Sequence, residues 1–187
     1  MVDTWFTSDT HFGHANMIKY EDRPFKNVTE MTEKLISNWN ERVKEEDNIF
    51  FLGDFCFSGG SQGEEFKAKD YIKKLNGNIV FVKGNHDGNN GLNTKIKALL
   101  MEAGGLEIYC THDPQDANLF FPLNLVGHVH NWWRIRDSSF GDFKSVMINV
   151  GVDVNNYYPI SLNEVLTLYN DFIKNKQKEM EENRAFS

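Results

Sequence analysis

The chain has 187 residues, of which 40% are hydrophobic and 25% are charged, and its formal net charge is −7. Its length allows a sizeable core and its composition is typical of a soluble globular protein, so we expect a single domain over residues 1–187. The acidic balance argues against non-specific binding to duplex nucleic acid, which requires a broad basic face.

The first half of the chain alternates strand and helix patterns. Short apolar runs bounded by polar residues predict strands at 2–7, 48–52 and 78–83. Weaker patterns predict helices at 63–75 and 92–103. Alternation of this kind favours a parallel sheet.

The clearest helix lies between the first two strands. Asn27 is a candidate N-cap, and Glu30 stands at the capping-box position. An apolar side chain then recurs every four residues, which predicts one buried stripe. The residues of this stripe are Met31, Leu35, Trp39 and Val43.

The second half of the chain is rich in strand patterns, at 106–111, 123–126 and 143–150, with a hairpin turn at 138–142. Ser161 and Glu164 form a capping box that opens a last helix. We expect its apolar side chains to face inward; these are Leu162, Val165, Leu166 and Tyr169. After Asn175 the chain is almost entirely charged or polar, so we expect a frayed or disordered tail over about 174–187.

Two features predict a cytoplasmic protein without membrane contact. The chain opens directly on a strand-like run, which predicts no signal peptide, and no apolar stretch approaches membrane-spanning length. Cys56 and Cys110 lie in no paired metal motif, so we interpret them as reduced, buried thiols.

Five of the six histidines stand in short polar motifs that follow apolar runs, and the sixth, His14, lies three residues after the first motif. In open α/β sheets, ligands bind outside the carboxyl ends of the strands. Five predicted strand ends therefore deliver polar side chains to one rim. The motifs are Asp9-Thr10-His11, Gly53-Asp54, Gly84-Asn85-His86-Asp87, Thr111-His112 and Gly127-His128-Val129-His130.

These motifs supply four imidazoles, two carboxylates and one amide as metal ligands. Such a mixed nitrogen and oxygen set suits Mn²⁺ first, with Fe, Zn²⁺, Co²⁺ or Ni²⁺ as alternatives. Two such ions roughly 3.5–4 Å apart can generate a hydroxide at neutral pH and clamp both oxygens of a displacement at phosphorus. We therefore expect two divalent metal ions. The predicted ligands are Asp9, His11, Asp54, Asn85, His112, His128 and His130.

The order and spacing of these motifs resemble those of the calcineurin-like metallophosphoesterases. Asn149-Val150-Gly151 is similar to the Asn-x-Gly turn that often follows in that family. The phrase Ser8-Asp-Thr-His-Phe-Gly-His14 is similar to a small, cap-less branch found in bacteria and phages, as are Arg23-Pro24-Phe25 and Pro159-Ile160-Ser161-Leu162. The resemblance implies an α/β fold of four layers (αββα), with two mixed sheets packed face to face and helices outside.

The resemblance also implies roles for the site residues. It assigns Asp9, His11 and His130 to one metal, Asn85, His112 and His128 to the other, and Asp54 to both. His86 then acts on the scissile phosphate, by stabilising its charge or protonating the leaving oxygen. His86, Asp54 and Asn85 are accordingly the predicted catalytic residues. Asp113, which follows His112, departs from the aromatic residue usual in the family.

Further residues are candidates with two interpretations each. His14, Arg23 and Arg134 are candidate phosphate-binding residues; alternatively, His14 satisfies a nearby carboxylate and the two arginines are solvated surface residues. Trp132 and Trp133 can stack on a base, although core packing is expected for at least one. Two carboxylates, Asp87 and Asp153, are expected to cap or support ligands.

The resulting hypothesis is a two-metal phosphoesterase that uses in-line attack by a metal-bridging hydroxide. Its leading substrate is a small phosphodiester, such as a cyclic nucleotide or a short oligonucleotide. Phosphomonoesters and dinucleoside polyphosphates are the next candidates. The alternative from another class is a catalytically silent protein-binding scaffold, as in a retromer subunit of this family; a scaffold has no need to keep His86. A duplex nuclease is the third hypothesis. It would need a basic groove to bind duplex nucleic acid, and the sequence of this acidic chain indicates none.

Overall fold

Two mixed β-sheets form the centre of the computed structural model, which describes residues 2–57, 67–88, 90–141 and 143–185. The first sheet has the order β3–β2–β1–β9, with β1 to β3 parallel and β9 antiparallel to β1. Its strands are β1 (Thr4–Thr7), β2 (Asn48–Leu52), β3 (Asn78–Val82) and β9 (Ile160–Ser161).

The second sheet has five strands, β4 (Ala98–Ala103), β5 (Leu106–Thr111), β6 (Leu123–Val126), β7 (Ile135–Asp137) and β8 (Val146–Asn149). Their order is β4–β5–β6–β8–β7. The three central strands are parallel, while both edge strands are antiparallel to their neighbours. The prediction of two mixed sheets is therefore confirmed.

In the described part of the chain, four α-helices flank the sheets: α1 (Met17–Tyr20), α2 (Val28–Arg42), α3 (Ala68–Ile72) and α4 (Leu162–Ala185). Asn27 caps α2 by accepting from the Glu30 N–H, as predicted. Ser161 and Glu164 form the predicted capping box of α4 by exchanging two hydrogen bonds. Of the helix predicted at 63–75, residues 63–66 lie outside the described part of the chain.

Two apolar clusters explain how these layers hold together. One lies between the sheets, because each sheet supplies one face of it and α4 adds Val165. The other lies between the first sheet and α2, whose predicted stripe is buried in full. The inter-sheet cluster includes Phe6, Leu52, Val82, Ile108, Cys110, Leu123, Leu125 and Ile148. The packing of the sheets face to face follows from this shared core.

The helix predicted at 92–103 is wrong, because residues 98–103 form β4. Leu99, Met101 and Ala103 alternate inward onto the inter-sheet core, a period of two that suits a strand. Gly104 and Gly105 both have positive φ, as a two-residue hairpin turn requires. The hairpin pairs β4 with β5 from Ala98 to Ala103, and this pairing outweighs the local helical preference of the segment.

Other outcomes concern short elements and the chain end. Strands β7 and β9 were not predicted; each has only two or three residues and is defined by pairing with a neighbour. The Phe140–Phe143 bridge supports the predicted hairpin turn, of which Asp142 lies outside the described residues. Helix α4 continues to Ala185, and disorder or fraying of the tail after Asn175 stays a prediction.

Among the described residues, no helix has the length and apolarity needed to cross a membrane.

The carboxyl ends of the parallel strands from both sheets meet at one rim. A parallel bridge joins Ser8, just after β1, to Gly151, just after β8, and so connects the two sheets. Within the second sheet, the Gly127 N–H donates to the His112 carbonyl. The loops that carry the polar motifs are therefore brought side by side.

Candidate metal centre

Two groups of potential metal ligands lie at this rim. Asp9, His11 and His130 form one group, and Asp54, His112 and His128 form the other. Within each group, one ligand atom from every residue lies within 4.8 Å of the others. In each group two residues are buried and one is half-buried, so the ligands line a recess that opens to solvent.

Asp54 and Asn85 bring the two groups together. The Asp54 Oδ2 atom lies 3.6 Å from His11 Nε2 and 3.4 Å from His112 Nε2, so one oxygen faces a ring of each group. The Asn85 Oδ1 atom lies 2.9 Å from His112 Nε2 and 3.0 Å from His128 Nδ1. All seven predicted ligands therefore converge, although the segments that carry them are far apart in sequence.

Five of the seven candidate ligands have left-handed backbone conformations. Positive φ values occur at Asp9 (58°), His11 (48°), Asp54 (61°), His128 (69°) and His130 (47°). Each such residue costs of order 1–3 kcal/mol unless the surrounding structure compensates for it. Strain of this kind clusters at functional sites, and here it turns each side chain out of its strand direction toward the recess.

Three glycines leave room for two carboxylates and one histidine ring. A Cβ atom at Gly84 would lie 2.1 Å from Asp54 Oδ1, and one at Gly127 would lie 2.6 Å from Asp9 Oδ2. A Cβ atom at Gly53 would meet the His112 ring at 2.5 Å. The glycines of the Gly-Asp, Gly-Asn-His-Asp and Gly-His-x-His motifs are therefore needed because side chains from neighbouring loops fill their space.

The electrostatics of the recess couple its carboxylates to its rings. Burial raises the pKa of Asp54, but hydrogen bonding and charge from His112 more than offset this and lower it to about 2. Burial lowers the pKa of His112, but Asp54 and Asp9 raise it to about 9. At Asp9 and His11 burial has the larger effect, so it raises the pKa of Asp9 and lowers that of His11 well below its usual value.

Asp87 supports the Asp54 loop, as predicted for a capping group. Its carboxylate accepts from the Asp54, Phe55 and Gly84 N–H groups at 2.8–3.0 Å and from the Asn90 side chain at 2.7 Å. These bonds fix the two loops that carry Asp54 and Asn85 relative to each other. The carboxylate is buried and satisfied by four donors.

Asp153 and Arg23 support the first group. The Asp153 Oδ2 atom lies 2.9 Å from His130 Nδ1, and Arg23 binds both oxygens of the same carboxylate at 2.8 and 2.9 Å. Arg23 also donates to the carbonyl oxygens of Asp9 and Thr10. It is neither a solvated surface arginine nor exposed to a substrate, because its side chain is fully buried. Arg23 therefore does not contact a phosphate as predicted. It instead positions Asp153 and the loop of Asp9.

His86 and His14 lie beside the first group without joining it. The His86 ring is 5.5 Å from the His11 ring, and its backbone N–H donates to Asp54 Oδ1. The His14 ring is 5.6 Å from His11 and stacks on Phe57 at 4.2 Å. His14 Nδ1 is buried without a hydrogen-bond partner among the described residues, so none of their carboxylates contacts this nitrogen.

The remaining candidates lie at the margin of the site. Arg134 is exposed and donates to the Asn155 side chain. Trp132 is exposed, while Trp133 is half-buried under the Arg136 guanidinium. Asp113 Oδ2 lies 3.8 Å from His128 Nε2, which adds a carboxylate next to the second group. The predicted Asn-x-Gly turn is present, since the Gly151 N–H donates to the Asn149 side chain.

The residues fit a pair of divalent cations. His11 Nε2 is buried and lacks a hydrogen-bond partner among the described residues. An unsatisfied buried polar atom is costly, and a bound cation would satisfy it. The donor set is composed of imidazole nitrogens, carboxylates and one amide oxygen, which suits divalent transition metals. Two of the rings are held from behind, His112 Nδ1 by the Leu52 carbonyl at 2.7 Å and His130 Nδ1 by the Asp153 carboxylate at 2.9 Å.

Proteins of archaea, bacteria and phages are similar to this chain. The calcineurin-like phosphoesterase family model matches residues 3–184. An uncharacterized protein of Methanocaldococcus jannaschii is 38% identical over 172 residues, which cover 90% of this chain and 92% of that protein. The gene 66 protein of Mycobacterium phage L5 is 28% identical over 157 residues, 73% of each chain. A solved structure of a protein of unknown function from Aquifex aeolicus is 26% identical, covers 90% of this chain and 100% of that chain, and has a TM-score of 0.67.

Proposed function

The chain belongs to the calcineurin-like phosphoesterase family, and from this premise we propose that it hydrolyses small phosphodiesters at a two-metal centre. Members of the family usually bind two divalent metals. The observation that carries the proposal is the position of Asp54 Oδ2, within 3.6 Å of an imidazole nitrogen from each ligand group. A carboxylate between two ligand sets is suited to bridge two cations.

Each ligand has a role in the proposal. Asp9, His11 and His130 would hold one cation, and Asn85, His112 and His128 the other, with Asp54 shared. When bound, the cations would supply Lewis-acid charge and acidify water, as divalent ions do in two-metal sites. Mn²⁺ is the proposed metal in the cell. The proposal includes a single domain over residues 1–187 and a cytoplasmic location, which the two buried free thiols support.

His86 acts on the phosphate in this proposal. Its ring lies at the exposed edge of the recess, 5.5 Å from His11, while its backbone is fixed by Asp54. An imidazole N–H there can donate to a phosphate oxygen as negative charge develops, or give its proton to the oxygen that leaves. The oxygen of a water molecule bonds to phosphorus and the water releases one proton to solvent, the ester P–O bond breaks, and the alcohol departs with the proton from His86, which takes up a proton from solvent.

Two variants separate metal binding from chemistry. With Mn²⁺ and bis(p-nitrophenyl) phosphate, Asp54→Asn is expected to lose both bound metal and turnover. His86→Ala is expected to retain metal but to lose turnover by about 10²-fold or more. Asp137→Asn, a surface carboxylate paired with Lys176, is the matched control and should behave like the wild type. Full turnover by Mn²⁺-loaded Asp54→Asn or His86→Ala would reject the mechanism.

Metal analysis distinguishes the enzyme from the scaffold. We expect nearly two equivalents of divalent metal per chain after loading with Mn²⁺ or Zn²⁺. A metal content near zero, with no activity after either ion is added, would favour a scaffold that keeps the fold without the chemistry.

A further inference from the structure

Three large aromatic side chains remain exposed around the candidate metal centre. Tyr20 is 68% exposed, Phe57 is 38% exposed and Trp132 is 81% exposed. Exposed rings of this size lose the free energy that burial would provide, so a group of them beside a polar recess indicates a binding surface. We call these three residues the aromatic rim.

Ring contacts connect the first side of the rim to the ligands. His14 stacks face to face on Phe57, with 4.2 Å between ring centroids and 8° between ring planes. The Tyr20 ring meets His14 edge-on at 6.4 Å. The His14 ring is in turn 5.6 Å from His11, a ligand of the first group. A continuous wall of rings therefore runs from the recess to the solvent.

Trp132 approaches the same region from another loop. It follows the ligand His130 by two residues. The side chain of Asn131, between them, donates to the Glu21 carbonyl at 3.4 Å, which joins this loop to the turn after Tyr20. Trp132 directly follows Asn131, and Tyr20 directly precedes Glu21, so each aromatic residue neighbours one partner of this hydrogen bond. The loop that carries Trp132 therefore lies next to the turn after Tyr20, on the side of the site that His130 and His11 form.

Resting on the proposed phosphodiesterase function, we propose that the aromatic rim stacks on the nucleobase of a nucleotide substrate whose phosphate lies in the recess. Aromatic faces bind bases through stacking, which every base offers. The three side chains of the rim present aromatic faces, and their polar atoms are the Tyr20 hydroxyl and the Trp132 indole N–H. The rim therefore favours substrates with a base over those without one and discriminates little among bases.

The test compares two ligands that differ only in the base. Adenosine 5′-monophosphate and ribose 5-phosphate are titrated calorimetrically into Mn²⁺-loaded protein with His86→Ala, which prevents turnover under the proposed mechanism. We expect the nucleotide to bind about tenfold or more tightly than the sugar phosphate, as stacking on one or two rings gives. Adding Trp132→Ala or Tyr20→Ala should reduce this ratio about threefold or more, whereas Trp132→Phe should restore most of it.

Phe140→Ala is the matched control. Phe140 is 72% exposed but lies at the turn between β7 and β8, where it pairs with Phe143 rather than with the site. Its removal should leave the affinity ratio at the value of the His86→Ala parent. A parent ratio near one, or a ratio unchanged by both Trp132→Ala and Tyr20→Ala, would overturn the base-stacking proposal.

The outcomes for the two proposals are separable. Hydrolysis of bis(p-nitrophenyl) phosphate by the wild type, together with equal affinity for the two titrated ligands, would refute base stacking and leave the phosphodiesterase intact. An inactive wild type that loads Mn²⁺ and still prefers the nucleotide would refute the proposed hydrolysis and keep the base-binding rim. Preference for adenine over uracil nucleotides by more than about tenfold would contradict recognition by stacking alone.

Discussion

At the scale of single residues, buried groups behind the ligands determine the arrangement of the site. Arg23 and Asp153 form a buried ion pair that contacts both His130 and the loop of Asp9. A carboxylate behind a ligating histidine fixes the orientation of its ring and increases its basicity. Asp153 is therefore expected to contribute to metal affinity without binding the metal.

Asp153→Asn should weaken Mn²⁺ binding by about 10–100-fold, because His130 loses its charged partner. The substitution should also destabilise the fold by about 3–5 kcal/mol, since the Arg23 charge stays buried without its counter-ion. Calorimetric titration with Mn²⁺ and denaturant unfolding measure the two effects. Asp171→Asn on the exposed face of α4 is the control, and equal metal affinity in both variants would contradict the role of Asp153.

Two nearby glycines offer an equally sharp comparison. Gly84→Ala would bring Cβ within 2.4 Å of the Asp54 backbone nitrogen as well as 2.1 Å from its carboxylate. We expect this variant to lose metal binding and to fall in thermal stability, because backbone cannot yield as a flexible side chain can. A Cβ atom at Gly88 would meet nothing within 4 Å. The free energy of unfolding of Gly88→Ala should therefore lie within about 0.5 kcal/mol of that of the wild type. Similar metal content in the two variants would count against the proposed crowding at Gly84.

At the scale of elements, a single carboxylate organises the start of the first sheet. Asp47 is fully buried just before β2 and accepts from the backbone of Asp3, the backbone of Lys44 and the Trp5 side chain. It therefore connects the end of the α2 segment to the entrance of β1. Burial raises its pKa, but these hydrogen bonds more than offset this and place it below 3.8.

The lowered pKa of Asp47 predicts the pH dependence of folding. Because the folded state holds this proton less tightly than the unfolded state, the carboxylate stabilises the fold above pH of about 4. That contribution is lost as the pH falls through the folded-state pKa. Asp47→Asn should cost about 1–3 kcal/mol at pH 7. Urea unfolding from pH 7 to pH 2 measures this difference in the free energy of unfolding, which should shrink as the pH falls; a difference that stays constant would contradict the role of the Asp47 carboxylate.

At the scale of the whole molecule, the site joins loops from both sheets. Asp9, His11 and Asp54 follow strands of the first sheet, whereas His112, His128 and His130 follow strands of the second. A cation held by either group therefore links the two layers. Binding to the folded state alone stabilises a protein in proportion to the logarithm of ligand concentration.

Metal removal should accordingly lower the thermal stability of the wild type. At a free Mn²⁺ concentration of 100 times its Kd, the stabilisation is about 2.7 kcal/mol, which for a chain of this length raises Tm by about 5–10 °C. Scanning calorimetry with Mn²⁺ and after chelation measures the shift. Asp54→Asn should show little change between the two conditions, and a wild-type Tm independent of metal would contradict the linkage of the two layers.

How much could be predicted from the sequence depended on whether a signal was local. The six predicted strands and the capping of α2 and α4 follow from short patterns, and they are present in the structure. The β4 segment was predicted wrongly because its strand state depends on pairing with β5. The Gly104-Gly105 pair was the overlooked signal, since two glycines between apolar runs favour a hairpin.

By itself, the sequence determined the types of the candidate ligands, their order and their positions after strands, because these are properties of short segments. Only the tertiary structure decided which ligands share a group, that five of them are left-handed, and that Arg23 is a buried support. The reason is distance along the chain: Arg23 meets Asp153 across 130 residues, and the His128 N–H meets Asp9 across 119. Contacts of that range exist only after the two sheets have packed, so no local pattern encodes them.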